Sequence, residues 1–436
     1  MEDYAADLPP TKTLELLNIA EAPRLSITTP ISIQHTPTVV PDEGKDSKEQ
    51  PKFLQKLLKF FHHSEKHVGF LREDKLPSQG SPEPEPPSSK LRAKFLNLFI
   101  SPGKPHDSAS SDNGSMISIN EEELEVIKEK LPTKASSAEL NFAKKYHFIG
   151  ERIIGRGASG VVRMGVFNSD ENHKIAVKEF RKRRRNETRH QYLVKLTAEY
   201  LIASKLHHPN IIETIDIVHD GKKWYEIMEF CPGGDLFTSI QNGSLGVDEI
   251  DSAFCQIVQG VSYLHSLGVA HRDLKPDNML VDCQGYIRIG DFGVSDLILQ
   301  EGSDVSRLSH GVCGSSPYIA PEEFTQGDYD ARAVDVWAMA IIYFAMVFHT
   351  IPWQVAQLTD ENYKKYVLGG PKSFEPFKRL SYGARNLLKR MLEPDPPKRA
   401  TLHEIMQDEW FTSIQIVPIK ICGNRKKKHE FHFVVD

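Results

Sequence analysis

The string His271-Arg-Asp-Leu-Lys-Pro-Asp-Asn278 constrains this chain more than any other stretch. It follows a run with a helical apolar stripe (Phe254, Ile257, Val258, Val261, Leu264) and precedes a hairpin-like stretch, Met279 to Gly290. Asp291-Phe-Gly293 begins thirteen residues after Asn278. As an isolated tripeptide it would carry little information, because surface aspartates are common; at that spacing it reads as the other half of a site. The residue types are those that phosphoryl transfer needs: a carboxylate to orient a hydroxyl and accept its proton, a cation for the transferred group, and oxygen ligands for magnesium. Asp273 fits the first role, Lys275 the second, and Asn278 with Asp291 the third.

Two features upstream belong to the same chemistry. In Ile153-Ile-Gly-Arg-Gly-Ala-Ser-Gly-Val-Val162, Gly155, Gly157 and Gly160 are spaced so that a backbone without side chains can approach phosphates. Alone the pattern also fits an ordinary hairpin turn. A dinucleotide-binding motif would run on into a helix, whereas Val161 to Phe167 continues as a strand. Next, the apolar strand Ile175-Ala-Val-Lys178 ends in a lysine. In the helix predicted over His190 to Leu206, Glu199 shares the apolar face of Leu196, Ile202 and Leu206. An unpaired carboxylate there would cost several kcal/mol or change its protonation. Lys178 is its natural counter-ion, with the ammonium aimed at nucleotide phosphates.

The surroundings set the organisation. Residues 1–145 are rich in Pro, Ser, Thr and charge, as in Ser81 to Pro87, and are expected to be mostly disordered. Two basic, apolar segments interrupt them, Lys90 to Ile100 and the amphipathic Lys52–Phe61, for which a membrane surface, the chain's own catalytic lobe and a partner groove are equal alternatives. From Tyr146 short β-branched runs come first and long helical patterns follow, so an α+β, bilobal domain is expected at 146–412, with a β-rich lobe at 146–230, a helical lobe at 231–412 and a tail at 413–436. The net charge of -5 gives no overall attraction to nucleic acid. Five scattered cysteines without a Cys-x-x-Cys pair argue against a disulfide framework or zinc ribbon. Cys422, His429 and His432 lack a fourth ligand for a metal site, and Cys313 reads better as packing than as a redox centre. No apolar signal core opens the chain, and Val336 to Phe348 falls short of the roughly 20 residues needed to cross a bilayer. The basic run Arg181 to Arg185 reads as a solvated loop. A cytoplasmic monomer, peripheral to the plasma membrane if Lys52–Phe61 binds lipid, is the expectation.

Over about 265 residues these motifs resemble the eukaryotic protein kinases. The resemblance implies a sheet-rich N-lobe, a helical C-lobe, ATP and magnesium in the cleft between them, and protein substrates. It places Ile154, Gly155, Gly157, Gly160, Val162, Ala176, Lys178 and Glu199 among the ATP-binding residues. It also implies a hinge at Glu229-Phe-Cys231 behind a gatekeeper Met228, and Asp235 near the ribose. Further, it implies an ion pair between Glu322 and Arg399, and an anchor for the catalytic loop at Asp335. Lys275 matches the serine/threonine subgroup. Cys313 to Phe324, Tyr329 to Trp337, Ala198-Glu199 and His207 to Ile212 look like the fungal halotolerance and nitrogen-permease-reactivator kinases, which would imply regulation of plasma-membrane transporters. The rival is a pseudokinase scaffold, which would be free to lose the catalytic set; a small-molecule kinase is disfavoured by the long Asp291 to Glu322 segment.

Three finer expectations follow from the resemblance. Asp235 and Asp277 would favour basic residues before the acceptor, and Val294 would favour threonine over serine. Ser315 would touch Asp273 and Lys275. Ser306 or Ser309 could carry a phosphate for Arg272, but Asp296, Glu301 and Asp304 make that stretch acidic and are expected to stand in for the phosphate in part.

Overall fold

The computed structural model describes residues 142–421 apart from 221, 222, 299–306, 326 and 371–373. The segments Lys52–Phe61 and Lys90–Ile100, the disorder expected of residues 1–141, Glu301, Asp304, Ser306, and the Cys422, His429 and His432 trio lie outside the described residues.

The β-branched runs after residue 145 form one antiparallel sheet of β1 (Tyr146–Gly157), β2 (Gly160–Phe167), β3 (Asp170–Phe180), β4 (Thr214–Asp220) and β5 (Lys223–Glu229), in the order β1-β2-β3-β5-β4. The lobe starts four residues earlier than its first strand. Helix α1 (Phe142–Lys145) buries Phe142 against Phe148 and Tyr225, with ring centroids 4.8 Å apart in both pairs. Helix α2 (Arg189–Ala203) starts one residue before the periodicity suggested and ends three residues short of it. At its start the Thr188 side chain and Gln191 form a reciprocal capping box, which satisfies two backbone N–H groups. Leu193 and Leu196 on its inner face pack on Phe180 and Trp224.

The second lobe is built on two helices. Helix α4 (Val247–Ser266), after β6 (Gly234–Asp235) and the short α3 (Leu236–Gln241), buries the whole stripe Phe254, Ile257, Val258, Val261 and Leu264. It packs on α5 (Ala331–Phe348), which Asp330 caps. At 18 residues α5 extends well before Val336 and is long and apolar enough to cross a membrane by length and composition, but most of it is buried inside the lobe. Around it lie α6 (Glu361–Gly369), α7 (Glu375–Lys378) and α8 (Tyr382–Met391), then α9 (Leu402–Met406) and α10 (Glu409–Ser413). Trp353, Tyr363, Tyr366, Phe374 and Phe377 form a chain of tilted and edge-to-face rings beneath α5. Between the lobes run the short strands β7 (Val269–Ala270), β8 (Met279–Val281), β9 (Ile287–Ile289) and β10 (Asp296–Leu297); β8 pairs with β6 and β9, and β10 with β7.

Residues 414–421, expected to begin a tail, are instead strapped across α4. The Ser252 hydroxyl accepts from the Val417 N–H at 2.9 Å and donates to its carbonyl at 2.7 Å, Ile419 N–H donates to Gly285 O at 2.8 Å, and Lys420 N–H donates to Glu249 at 2.8 Å. Gly285 has φ of 90°, and a Cβ there would stand 2.4 Å from the Ile419 carbonyl oxygen, so only glycine fits under the strap. Ser252 is fully buried. Ser252→Ala is therefore expected to destabilise the domain by about 1–3 kcal/mol in urea unfolding, because it strands the two Val417 backbone groups.

Candidate active site

Strand β3 ends its apolar run at Lys178, and α2 presents Glu199 opposite it. The two form a buried ion pair, and Lys178 Nζ also donates to Asp291 Oδ1 at 3.1 Å. The pairing expected from helical spacing is therefore made, and it is joined to the carboxylate of the Asp291-Phe-Gly293 turn. Burial would depress the Lys178 ammonium, but Asp291, Glu199 and Glu226 together hold it above its usual range. Lys178 in turn keeps Asp291 below the ordinary carboxylate range against the opposing effect of burial. Burial pushes Glu199 up despite Lys178.

Glu226 is the residue that the sequence reading missed. It sits directly across from Lys178 in the β3–β5 register and is 3% exposed, with the Thr214 hydroxyl 3.4 Å from Oε1. The available signal was a lone carboxylate in the otherwise apolar strand Trp224-Tyr225-Glu226-Ile227-Met228.

The catalytic loop hangs from Asp335. This fully buried carboxylate accepts from the backbone N–H of His271 and of Arg272, both at 2.8 Å, and lies 2.7 Å from His265 Nε2. Arg272 (φ 66°) and Asp291 (φ 62°) both hold left-handed backbone conformations, a strain that non-glycine residues sustain only where their surroundings fix them. Asp273, Lys275 and Ser315 meet as expected. Lys275 Nζ lies 3.0 Å from Asp273 Oδ2 and 2.9 Å from Ser315 Oγ, and the Ser315 hydroxyl donates to Asp273 Oδ1 at 3.1 Å. Asn278 Nδ2 donates to the Asp273 carbonyl at 2.8 Å, which leaves Oδ1 for a cation. Glu322 and Arg399 form the expected bidentate pair, at 2.6 and 2.8 Å. A cavity of about 360 Å³ opens beside these groups, lined among others by Ala158, Lys195, Glu199, Asp273, Asp291 and Cys313. The Cys313 thiol is pushed up to about 12 by burial, which suits packing and not thiolate chemistry.

Of the three loop glycines, Gly160 alone is forced by contact: a Cβ there would fall 2.2 Å from the Glu179 carbonyl oxygen in β3. At Gly157 a Cβ would meet nothing within 4 Å, so that position keeps the backbone open above the cleft. Ile154, Gly155 and Val162 lie on the paired strands β1 and β2, and Ala176 pairs with the gatekeeper Met228 across β3 and β5. At the hinge, the Glu229 side chain accepts from Glu213 N–H at 2.9 Å, and Cys231 is buried. Asp235 caps α3 by accepting from Thr238 N–H at 2.6 Å, and its other oxygen, Oδ2, is buried without a protein partner. Being only 1% exposed, Asp235 is poorly placed to meet a substrate side chain, which leaves the half-buried Asp277 for that role. The basic run is a loop with Lys182 to Arg185 exposed, as expected, while Arg181 makes a two-pronged pair with Glu187 at 2.8 and 2.9 Å.

The donor set fits a magnesium nucleotide. Lys178 supplies a buried cation for phosphates, Asp291 and Asn278 supply hard oxygen ligands, and the orphaned Asp235 oxygen lies on β6, which follows the hinge. Residues 148–411 match the protein kinase domain. The chain belongs to the protein kinase family. Among its relatives are the serine/threonine-protein kinase hal4 of Schizosaccharomyces pombe, 43% identical over 66% of this chain and 47% of the relative. The serine/threonine-protein kinase HAL4/SAT4 of Saccharomyces cerevisiae is 42% identical over 65% of this chain and 48% of the relative. The nitrogen permease reactivator protein of Saccharomyces cerevisiae is 34% identical over 63% and 40%. The chain thus spans about half the length, or less, of these relatives, and they bear out the fungal kinase group suggested by the motifs.

Glu226 makes this kinase core pH-sensitive in a defined direction. Burial first, and the Glu199 and Asp291 charges after it, outweigh Lys178 and raise the Glu226 carboxyl to about 7. A carboxyl raised on folding binds more protons in the folded than in the unfolded state between its two pKa values, so stability falls as pH rises from about 4.3 to about 7. Glu226→Gln should therefore raise the stability of the nucleotide-free protein above pH 7 by an amount on the order of 1–3 kcal/mol, with the gain shrinking toward pH 4.3 in thermal unfolding followed across pH.

Proposed function

We propose that this protein transfers the γ-phosphoryl group of magnesium-ATP to serine or threonine hydroxyls of other proteins. The observation that carries this reading is the assembled geometry of Asp273, Lys275 and Ser315 beside an intact Lys178–Glu199 pair. Bound between the lobes, the magnesium nucleotide supplies an electrophilic phosphorus. Asp273 would orient the acceptor hydroxyl and take its proton as the hydroxyl oxygen bonds to the γ-phosphorus and the bond from that phosphorus to the departing ADP breaks. Lys275, within reach of Asp273, balances the negative charge that develops between acceptor and phosphoryl oxygens. Lys178, Asp291 and Asn278 position the phosphates and the cation, while Ser315 holds the peptide-side segment against the loop. A scaffold without catalysis has no need of five such groups in register.

The acceptors on this reading carry basic residues on the N-terminal side, read by Asp277, and threonine is preferred because the half-exposed Val294 follows the metal-binding turn. One relative is named a nitrogen permease reactivator, and that likeness supports a role in regulating plasma-membrane ion or nutrient transporters. A cytoplasmic kinase held at the membrane periphery through Lys52–Phe61 would fit such targets.

With magnesium-ATP and a generic protein substrate, Asp273→Asn and Asp291→Asn should each lower the rate by at least about 100-fold while circular dichroism and the melting temperature stay close to wild type. A wild-type chain no faster than both variants would return the scaffold reading. On a peptide array, the wild type should prefer Arg or Lys before a threonine, and Asp277→Ala should flatten that basic preference; an acidic or proline-directed profile contradicts it.

A further inference from the structure

The catalytic loop carries a buried arginine whose partners the transfer chemistry does not explain. Arg272 is 4% exposed, and its Nη2 donates to the Tyr329 hydroxyl at 2.7 Å, to His310 O at 3.1 Å and to Gly311 O at 3.4 Å. Its Nη1 lies 3.8 Å from Asp296 Oδ2. Asp296 is 1% exposed, accepts from the Ser309 hydroxyl at 2.6 Å, and is ion-paired to Arg307. Ser309 and Tyr329 exchange two backbone hydrogen bonds of 2.8 Å. On the other side, β10 pairs Asp296 with Ala270, the residue before His271. One carboxylate thus ties together the strand after the metal-binding turn, the stretch 307–311 and the arginine beside the catalytic aspartate.

A buried guanidinium surrounded only by neutral oxygens is costly, so the site demands an anion. In kinases switched by phosphorylation, a phosphate on the activation segment supplies it and orders the segment through new arginine pairs. Here the anion is already covalently part of the fold. It is shared by two arginines, and the Ser309 hydroxyl that could carry a phosphate is buried and donating to it. A phosphate on Ser309 would bring like charge against Asp296 in a closed space.

Resting on the kinase reading above, we propose that Asp296 is a positioning residue: the built-in counter-ion of Arg272, which holds residues 307–315 against the catalytic loop so that the enzyme is active without a phosphate on its activation segment. The sequence suggested that the acidic segment as a whole would help in part; among the described residues it is Asp296 that meets Arg272, Arg307 and Ser309. Asparagine at 296 would keep the shape and some of the hydrogen bonds but not the charge, and glutamate would keep the charge.

The test uses the full chain, treated with phosphatase and shown by intact mass to carry no phosphate. Its turnover should stay within about twofold of the untreated enzyme, and Ser306→Ala should change little. Asp296→Asn should lower kcat and raise the KM for peptide, on the order of tenfold in kcat/KM, with the KM for ATP nearly unchanged, and Asp296→Glu should recover part of the loss. Hydrogen exchange provides a readout independent of turnover: backbone amides of residues 307–314 should be protected in the unphosphorylated wild type and open in Asp296→Asn. A tenfold or greater loss on phosphatase treatment, an Asp296→Asn enzyme equal to wild type, or amides that become protected only after segment phosphorylation would each overturn the proposal. Protected amides in a chain that transfers no phosphate would instead overturn the proposed function and leave the Asp296 contact standing.

Discussion

The fold depends most on the carboxylate of Asp335. It sits at the start of the core helix α5, fully buried, and holds the two successive N–H groups of His271 and Arg272. Those two peptides are where the chain must turn out of the C-lobe core and present Asp273 upward, and the left-handed backbone of Arg272 shows how tight that turn is. A loop with this strain would relax if its N–H groups could find other partners. Because the acceptor is anchored in the most apolar helix of the protein, they cannot, and His265 from α4 closes the arrangement from the other side. The loop backbone is thereby fixed by the core, and the bonds among Asp273, Lys275 and Ser315 then set the reactive side chains on it, as preorganised charge stabilisation requires.

The two lobes handle buried charge in opposite ways. In the N-lobe one ammonium, Lys178, faces three carboxylates: Glu199, Asp291 and Glu226. Asp291 and Asn278 would hold a magnesium ion there, and its charge would offset the carboxylates. Below the cleft Arg272 and Arg307 converge on the carboxylate of Asp296, with buried Glu323 close by through the Tyr329 hydroxyl. There the shared anion ties the stretch that carries Arg307 to the catalytic loop. Removing the shared member of either cluster, Lys178 or Asp296, would leave its partners without their counter-ion.

What the sequence made legible was whatever lay in short contiguous strings. The catalytic loop and the metal-binding turn were placed as contiguous strings and the Lys178–Glu199 pair by the apolar face of its helix, whereas the Glu322–Arg399 pair came only from the resemblance to protein kinases. The bilobal order was legible too, since period-two runs give way to helical stripes at one point in the chain. Glu226 was not, because only the β3–β5 register brings it to Lys178. Asp235 read as a residue near the ribose that faces a basic substrate side chain, and the sequence did not show that the first turn of α3 claims one of its oxygens and buries the other. The charge at Asp296 read as part of an acidic stretch standing in for a phosphate, without the partners that hold it. Its partners, Arg307 and Ser309, lie beyond the stretch that separates them in sequence, and periodicity gives no register across such a gap.

The strap at residues 414–421 bears on the same site through an unbroken buried polar thread. Val417 is held by Ser252, whose hydroxyl oxygen also accepts from Gln256 Nε2 at 3.1 Å. Gln256 Oε1 then accepts from the Ile287 N–H at 2.8 Å, in the strand β9 that leads through Gly290 to Asp291. Asn210 joins from the N-lobe loop between α2 and β4 by donating to the Ile287 carbonyl at 3.1 Å. Such a thread adds little net stability per bond, since each replaces a bond to water, but leaving any one of its members unpaired in the core is expensive. It therefore fixes geometry more than it adds energy. The backbone entering the metal-binding turn is held on both sides, by the loop between α2 and β4 and by the strap at residues 414–421, which makes that strap a structural part of the site it lies far from in sequence.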